Sequence, residues 1–255
     1  GPTGPHRDGG GSPLYVGKGF RKLKDPNPSW DSKIAELVQN YPIKSCAVIS
    51  HIRQANRGRV SLENTHPCTR ELWGRYWTFA HNGQLSDYDG LDTGRHRAVG
   101  QTDSEFAFCW LLKQMEDKYP QPPANMVEVF RFIAQCCDQL RQKGIFNMLL
   151  SDGEYLMTFC TNHLYRITRR APFGKASLID EEVTINFQEE TTPNDIVTVI
   201  ATQPLTQDEK WHRMKPGEFG LFQFGELIDC NSEQLKDVAY APAKVLDQSP
   251  SEPLI

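Results

Sequence analysis

Two consecutive amphipathic segments occupy the middle of the chain, and strand-like runs lie on both sides of them. The first opens with Thr102 at its N-cap and Glu105 three residues later, which is a capping box. It continues with Phe106, Cys109, Trp110, Leu112 and Met115 at helical spacing, and Pro120, Pro122 and Pro123 break it. The second runs from about Asn125 to Lys143, with Val127, Phe130, Ile133, Ala134 and Leu140 on its apolar face and Gly144 as its stop. Parallel strands need a crossover, usually a helix, between each pair. A chain whose helices follow one another, with no βαβ alternation, points instead to an antiparallel α+β fold.

The remaining elements fit that class. A short helix is predicted over 31–40, capped by Asp31 or Ser29, with Ile34, Leu37 and Val38 on one face and Pro42 beyond its end. Residues 46–53 read as a buried strand. Residues 76–85 read as a second, carrying Trp77 and Phe79 before the polar stop His81-Asn82-Gly83. A long polar loop over 54–75 separates the two. After the helices, runs over 146–151 and 155–161 flank Asp152-Gly153, a strong hairpin signal. Further strands are expected over 164–169, 183–187, 196–201 and 219–228. The apolar run 196–201 implies a strand covered on both faces, which two stacked sheets with helices outside would provide. The domain reads as residues 1–228. Residues 229–255 are expected to be a tail, disordered where periodicity gives way to Ser, Pro and Gln from 231 onward.

Composition narrows the function classes. The 28 Lys and Arg against 32 Asp and Glu leave a formal charge of −4, without the basic footprint of a duplex-binding module. No apolar run approaches the ~18 residues a membrane helix needs. Nucleic acid and membrane are therefore not expected partners. The seven cysteines are odd in number and contain no C-x-x-C pair, so neither a disulfide framework nor a structural zinc site is indicated. The expected location is the cytoplasm.

Three polar clusters sit at element ends: His51-Ile52-Arg53-Gln54-Ala55-Asn56-Arg57-Gly58, Ala80-His81-Asn82-Gly83 and Gln101-Thr102-Asp103-Ser104-Glu105. Taken singly, each has a structural reading as a surface charge, a turn or a helix cap. Taken with Glu63-Asn64-Thr65-His66-Pro67, residues 146–153, residues 167–174 and residues 200–205, in collinear order up to about residue 228, they resemble the class II glutamine amidotransferases, and among these the YafJ-type proteins. That resemblance implies the N-terminal-nucleophile hydrolase fold, a four-layer αββα sandwich of two antiparallel sheets. It implies glutamine, or another γ-glutamyl small molecule, as ligand, and a separate acceptor or synthase protein as partner. No cofactor and no metal are implied.

Site residues carry over position by position. Arg53 corresponds to the arginine that binds the glutamine α-carboxylate, for which a planar guanidinium offers two parallel hydrogen bonds. Asp103 corresponds to the aspartate that holds the α-ammonium. Asn82 and Gly83 correspond to the oxyanion hole. The family's nucleophile is a Cys at the start of the mature chain, with its own α-amino group as base. This chain begins Gly1-Pro2-Thr3-Gly4-Pro5, so that Cys and its strand are expected before residue 1, in a longer form of the protein. The alternative expectation is a module that binds a γ-glutamyl compound without turnover. Three differences from the family stand out: Asp8-Gly9-Gly10-Gly11-Ser12-Pro13 replaces an Asp-Gly-Trp-Gly strand start, and Asn56 and Arg57 replace a Thr and a His. With Pro13 and no Trp, the N-terminal edge is expected to be weakened.

Other groupings invite weaker readings. Cys68 lies two residues after His66 and offers a Cys–His dyad or a structural thiol. His51, His66 and His81 are conceivable as a metal triad, although their spacing gives no support. Arg166, Arg169 and Arg170 read as a solvated strand face with ion pairs.

Overall fold

A computed structural model describes residues 9–16, 19–28, 31–40, 45–53, 59–179, 184–186 and 192–231. In chain order the elements are β1 (Gly10–Gly11), β2 (Leu14–Val16), β3 (Gly19–Arg21), β4 (Lys24–Asp25), α1 (Lys33–Asn40), β5 (His51–Ile52), β6 (Cys68–Leu72) and β7 (Arg75–Leu85). The two long helices follow, α2 (Asp103–Lys118) and α3 (Met126–Leu140), the latter ending in a single 3-10 turn. Then come β8 (Gly144–Ser151), β9 (Tyr155–Phe159), β10 (Tyr165–Arg170), β11 (Lys175–Ser177), β12 (Thr184–Asn186), β13 (Ile196–Ala201), β14 (His212–Arg213), β15 (Phe219–Gln223) and β16 (Glu226–Cys230).

The frame is a six-stranded antiparallel sheet in the order β16-β15-β9-β8-β7-β6. Its strands alternate, and register sends one set of side chains to a common face. Phe79 lies opposite Leu150, and Met148 opposite Phe159. That face, with Trp77, Phe146 and Met157, packs on Phe108, Leu112 and Met115 of α2 and on Phe130, Ile133 and Leu140 of α3. All of these are fully buried, and each large apolar side chain so removed from water contributes roughly 1.5–3 kcal/mol. The α+β class with antiparallel sheets, read from the element order, is what the chain forms.

The opposite face of the sheet is covered by short strands. Tyr15 of the β2–β3 hairpin reaches across to β7 and β8. Its hydroxyl lies 2.7 Å from Thr78 Oγ1, 2.9 Å from the Ser151 carbonyl and 3.0 Å from the Tyr76 carbonyl. Further along, Thr158 of β9 donates to Met214 Sδ, beside the small sheet β13-β10-β14. Residues 77–81 of β7 are consequently buried on both faces.

Several boundaries differ from the sequence expectation, each for a physical reason. The helix over 31–40 begins at Lys33, because Ser32 rather than Asp31 or Ser29 accepts the Ala35 N–H. Leu37, expected on its apolar face, is exposed. The run 46–53 forms only a bridge at Val48 and a two-residue strand, with Ile49 and Arg53 turned inward and Val48 and Ile52 outward. The polar stretch 54–75 contains β6, paired from Cys68 to Leu72 with β7. Residues 219–228 are two strands, β15 and β16, folded at Phe224-Gly225, where both residues have positive φ. The strand 196–201 has the expected bounds but is only partly covered: Val197 is exposed, so the doubly covered strand is β7 instead. The connection between β8 and β9 has the expected three residues, 152–154, and Asp152 Oδ1 shapes it by accepting from both Glu154 N and Tyr155 N. Residues 54–58 of the first polar cluster and 232–255 of the expected tail lie outside the described residues.

Burial drives the Tyr15 phenol pKa well above its ordinary value, so the group stays a neutral hydroxyl pinning the hairpin to the sheet. Tyr15→Phe removes the one hydroxyl that the Tyr76 and Ser151 carbonyls and Thr78 Oγ1 share, while keeping the ring. The expected loss is about 1–2 kcal/mol in urea unfolding with an unchanged m-value; unaltered stability would show the hydroxyl to be incidental.

Candidate functional site

The three polar clusters meet where the start of α2 lies against β7. Thr102 caps the helix by accepting from Glu105 N at 3.3 Å. The reciprocal arm of the capping box is not made, because Glu105 has other partners. Its carboxylate accepts from Gly100 N at 2.6 Å and forms an ion pair with Arg70 of β6. The next residue, Asp103, accepts from the Leu85 N–H of β7 at 2.8 Å through Oδ2. Ser104 then contacts His81 of β7, Oγ to Nδ1, at 2.8 Å. Successive residues of one helical turn thus reach β6 and two points of β7.

Arg53 enters from the other side. It is 4 % exposed, and its Nη1 donates to the Arg59 carbonyl at 3.0 Å. The same carbonyl accepts from Asn64 Nδ2 at 3.1 Å, while Asn64 Oδ1 accepts from Gln101 N at 2.8 Å. Arg53 is therefore linked through Asn64 to the residue two before Asp103. A second tie is the 3.1 Å contact between His66 Nε2 and Thr102 Oγ1. Asn82 and Gly83, unlike these supports, are exposed.

Gly83 has φ +157° and lies so close to β8 that a Cβ would collide with the Ile145 carbonyl oxygen. Asn147 of β8 steadies the neighbouring backbone. Its Nδ2 donates to the Asn82 carbonyl at 3.0 Å, and its Oδ1 accepts from Thr161 N at 2.9 Å and Asn162 N at 3.1 Å.

Sequence reading singled out Arg53, Asn82, Gly83 and Asp103, and the fold brings their segments together. It missed the roles of Asn64, Asn147 and Ser104 as supports. Asn64 and Asn147 lay inside quoted motifs, but nothing in a sequence says which backbone amide a buried Asn will meet. The Cys68–His66 pair is not a dyad. Cys68 is buried, its thiol pKa is pushed up to about 12 by desolvation, and His66 turns to Thr102. Of the three histidines, His51 and His66 stack edge-on with ring centroids 5.1 Å apart, and both nitrogens of His81 are engaged by Ser104 and the Ile145 carbonyl. Among the described residues no cluster is arranged to hold a metal ion. The expected solvated face of Arg166, Arg169 and Arg170 is met only at Arg170, which is exposed and pairs with Glu226; Arg169 lies on the other face in a mostly buried pair with Glu209, and Arg166 is half-buried.

Comparison with known proteins places this geometry. The model of the class-II glutamine amidotransferases matches residues 1–244. The chain is 63 % identical over 228 residues to YafJ of Escherichia coli strain K12, named as a glutamine amidotransferase, covering 89 % of each chain. It is 40 % identical over 226 residues to a similarly named protein of Haemophilus influenzae, covering 89 % of this chain and 76 % of that one. Among solved structures, a protein of Pseudomonas aeruginosa PA01 designated a glutamine amidotransferase superposes with a TM-score of 0.75 at 49 % identity, covering 90 % of both chains.

Burial holds the His66 imidazole well below its ordinary pKa of 6.5, helped by the neighbouring His51 and His81 rings and by the charges of Lys24 and Arg53. Burial also lowers His81, against an opposing pull from Asp103. Both rings are neutral in the folded protein. As pH falls below 6.5 the unfolded chain binds protons that the folded one refuses, so stability declines towards acid. The decline is expected to begin below about pH 6.5, at no more than about 1.4 kcal/mol per pH unit for each histidine, and His66→Gln should make it shallower. Denaturant unfolding across that range tests this, and a flat profile contradicts it.

Proposed function

Because the chain belongs to the class-II glutamine amidotransferases, whose antiparallel N-terminal-nucleophile hydrolase fold it shares, we propose that it is the glutamine-binding and glutamine-hydrolysing domain of such an enzyme. The observation that carries the proposal is the single hydrogen-bonded frame joining Arg53, Asp103 and the Asn82-Gly83 segment. The Arg53 guanidinium, buried and oriented from below by the Arg59 carbonyl, presents its charge to the α-carboxylate of glutamine. Asp103 accepts from the α-ammonium, with Oδ2 anchored on Leu85 N–H so that the carboxylate does not swing. A cation and an anion at fixed separation hold the amino-acid end of the ligand, and the amide end extends towards Asn82 and Gly83. There the Asn82 side-chain amide and the Gly83 N–H meet the negative charge that develops on the carbonyl oxygen as a thiolate adds.

The thiolate is assigned, as in the family, to a Cys at the start of the mature chain. The buried cysteines do not suit the role. Desolvation pushes Cys68 up to about 12, Cys109, Cys136 and Cys160 up to about 11, and Cys137 well above the ordinary range, so all five stay protonated at neutral pH. In the proposed reaction the thiolate adds to the γ-carbonyl and the C–N bond breaks. The amide nitrogen takes the proton that the thiol gave to the α-amino group and leaves as ammonia; a γ-glutamyl thioester remains, and water hydrolyses it to glutamate and the free thiol. The ammonia passes to a separate acceptor protein. Free, mostly buried thiols fit a reducing compartment, the cytoplasm.

Calorimetric titration of the chain with glutamine, alongside glutamate release from the protein carrying its N-terminal Cys, tests the proposal. Arg53→Ala should weaken glutamine binding at least about 30-fold, because it removes one partner of a buried charge pair. Binding without glutamate release would select the non-catalytic binding module. No binding, with no release, would overturn the reading.

A further inference from the structure

His81 is buried in the seam between α2 and the β7–β8 ladder, its ring 4.9 Å from that of Phe146. Nε2 lies 3.0 Å from the Ile145 carbonyl oxygen, and a carbonyl only accepts. The ring proton is therefore on Nε2. Nδ1 is bare, and it takes the hydroxyl proton of Ser104 at 2.8 Å. One chain of hydrogen bonds, from Ser104 to His81 to the Ile145 carbonyl, crosses from α2 through β7 to β8.

Its position is informative. Ser104 is the residue after Asp103, and Asp103 itself accepts from Leu85 N. Helix α2 is thus fastened to β7 at His81 and again at Leu85, on either side of Asn82 and Gly83. The carbonyl that His81 holds is also the one against which Gly83 lies too closely for any Cβ. The imidazole therefore fixes the surface on which Gly83 rests, and Ser104 fixes the imidazole.

We propose that His81 and Ser104 are positioning residues that set the Asn82-Gly83 segment of β7 at the correct distance from Asp103. This rests on the functional reading above and deepens it. Neither side chain touches glutamine. Each acts on the distance between the group that holds the α-ammonium and the groups that receive the oxyanion. A shift in that distance leaves ground-state binding through Arg53 and Asp103 nearly intact. It weakens contacts that matter once the tetrahedral intermediate forms, so kcat falls while KM holds.

The test uses the protein prepared with a Cys-headed N-terminal strand ahead of residue 1. Ser104→Ala and His81→Gln should each lower kcat for glutamate release by about tenfold to a hundredfold, with KM changed by less than about threefold. Ser104→Thr, which keeps the hydroxyl, should restore most of the rate. Imidazole nitrogen NMR on the unmodified protein should place the His81 proton on Nε2. Should His81→Gln fail to fold, the Ser104→Ala and Ser104→Thr pair decides alone. An active wild type whose Ser104→Ala variant keeps full kcat, or loses kcat and binding in parallel, overturns this proposal and leaves the functional reading standing. So does a proton found on Nδ1. A wild type that releases no glutamate overturns both.

Discussion

The joint between the first turn of α2 and strand β7 is the constraint on which the rest of the site depends. A helix start leaves backbone N–H groups without intrahelical partners, and a buried strand cannot leave its side-chain nitrogens unsatisfied. Here each surface answers the other. Thr102 caps the helix, Asp103 takes an amide of β7, and Ser104 completes the histidine of β7. Glu105 extends the same turn to β6 through Arg70. Each partner is buried or half-buried, so loosening one leaves another unpaired in a low-dielectric setting, where that loss is costly. Rigidity of this kind is what a site needs if it is to hold a zwitterion and a reacting carbonyl in fixed relation.

Electrostatics around that joint are unusual for a mildly acidic protein. Lys24, His51, Arg53, His66 and His81 gather on one side, facing Asp103 and Glu105 on the other. Burial resolves the crowding. His66 and His81 are held neutral, and Lys24 is lowered to about 8 while its ammonium donates to the Thr65 carbonyl. Arg53 keeps its charge at any pH, and Lys24 keeps most of its charge at neutral pH.

The class of fold could be read from the order of elements, because hydrophobic period and caps are local properties. Two helices in succession excluded a parallel sheet whatever the strands did. The elements that escaped were those defined by pairing: β6 inside a polar stretch, and the division of 219–228 into β15 and β16. Thr69, Arg70 and Glu71 carry no apolar signal, and they are a strand only because β7 lies beside them. The candidate site residues were singled out through motif resemblance, which spacing alone did not supply. Their supports, Asn64, Asn147 and Ser104, depend on distant backbone amides, on a carbonyl and on an imidazole, and so are properties of the fold rather than of any local string.

The N-terminal departure from the family pattern illustrates the same point from the opposite direction. Glycines and a proline in place of a Trp-bearing strand start suggested a weakened edge. Instead β1 is a central strand, Gly10 and Gly11 pairing with β4 on one side and β5 on the other. A Cβ on Gly11 would lie 2.8 Å from the His66 carbonyl oxygen, and one on Gly10 would lie 3.0 Å from the His51 carbonyl oxygen. Only glycine lets three backbones approach that closely. Pro13 falls just after the strand, where it removes no ladder donor. Gly9, the residue before β1, accepts from the Arg53 N–H at 2.8 Å, so this glycine strand also fixes the backbone of the residue that the functional reading assigns to the ligand carboxylate. What the strand gives up in side-chain packing it returns as a close-packed backbone beneath the candidate site.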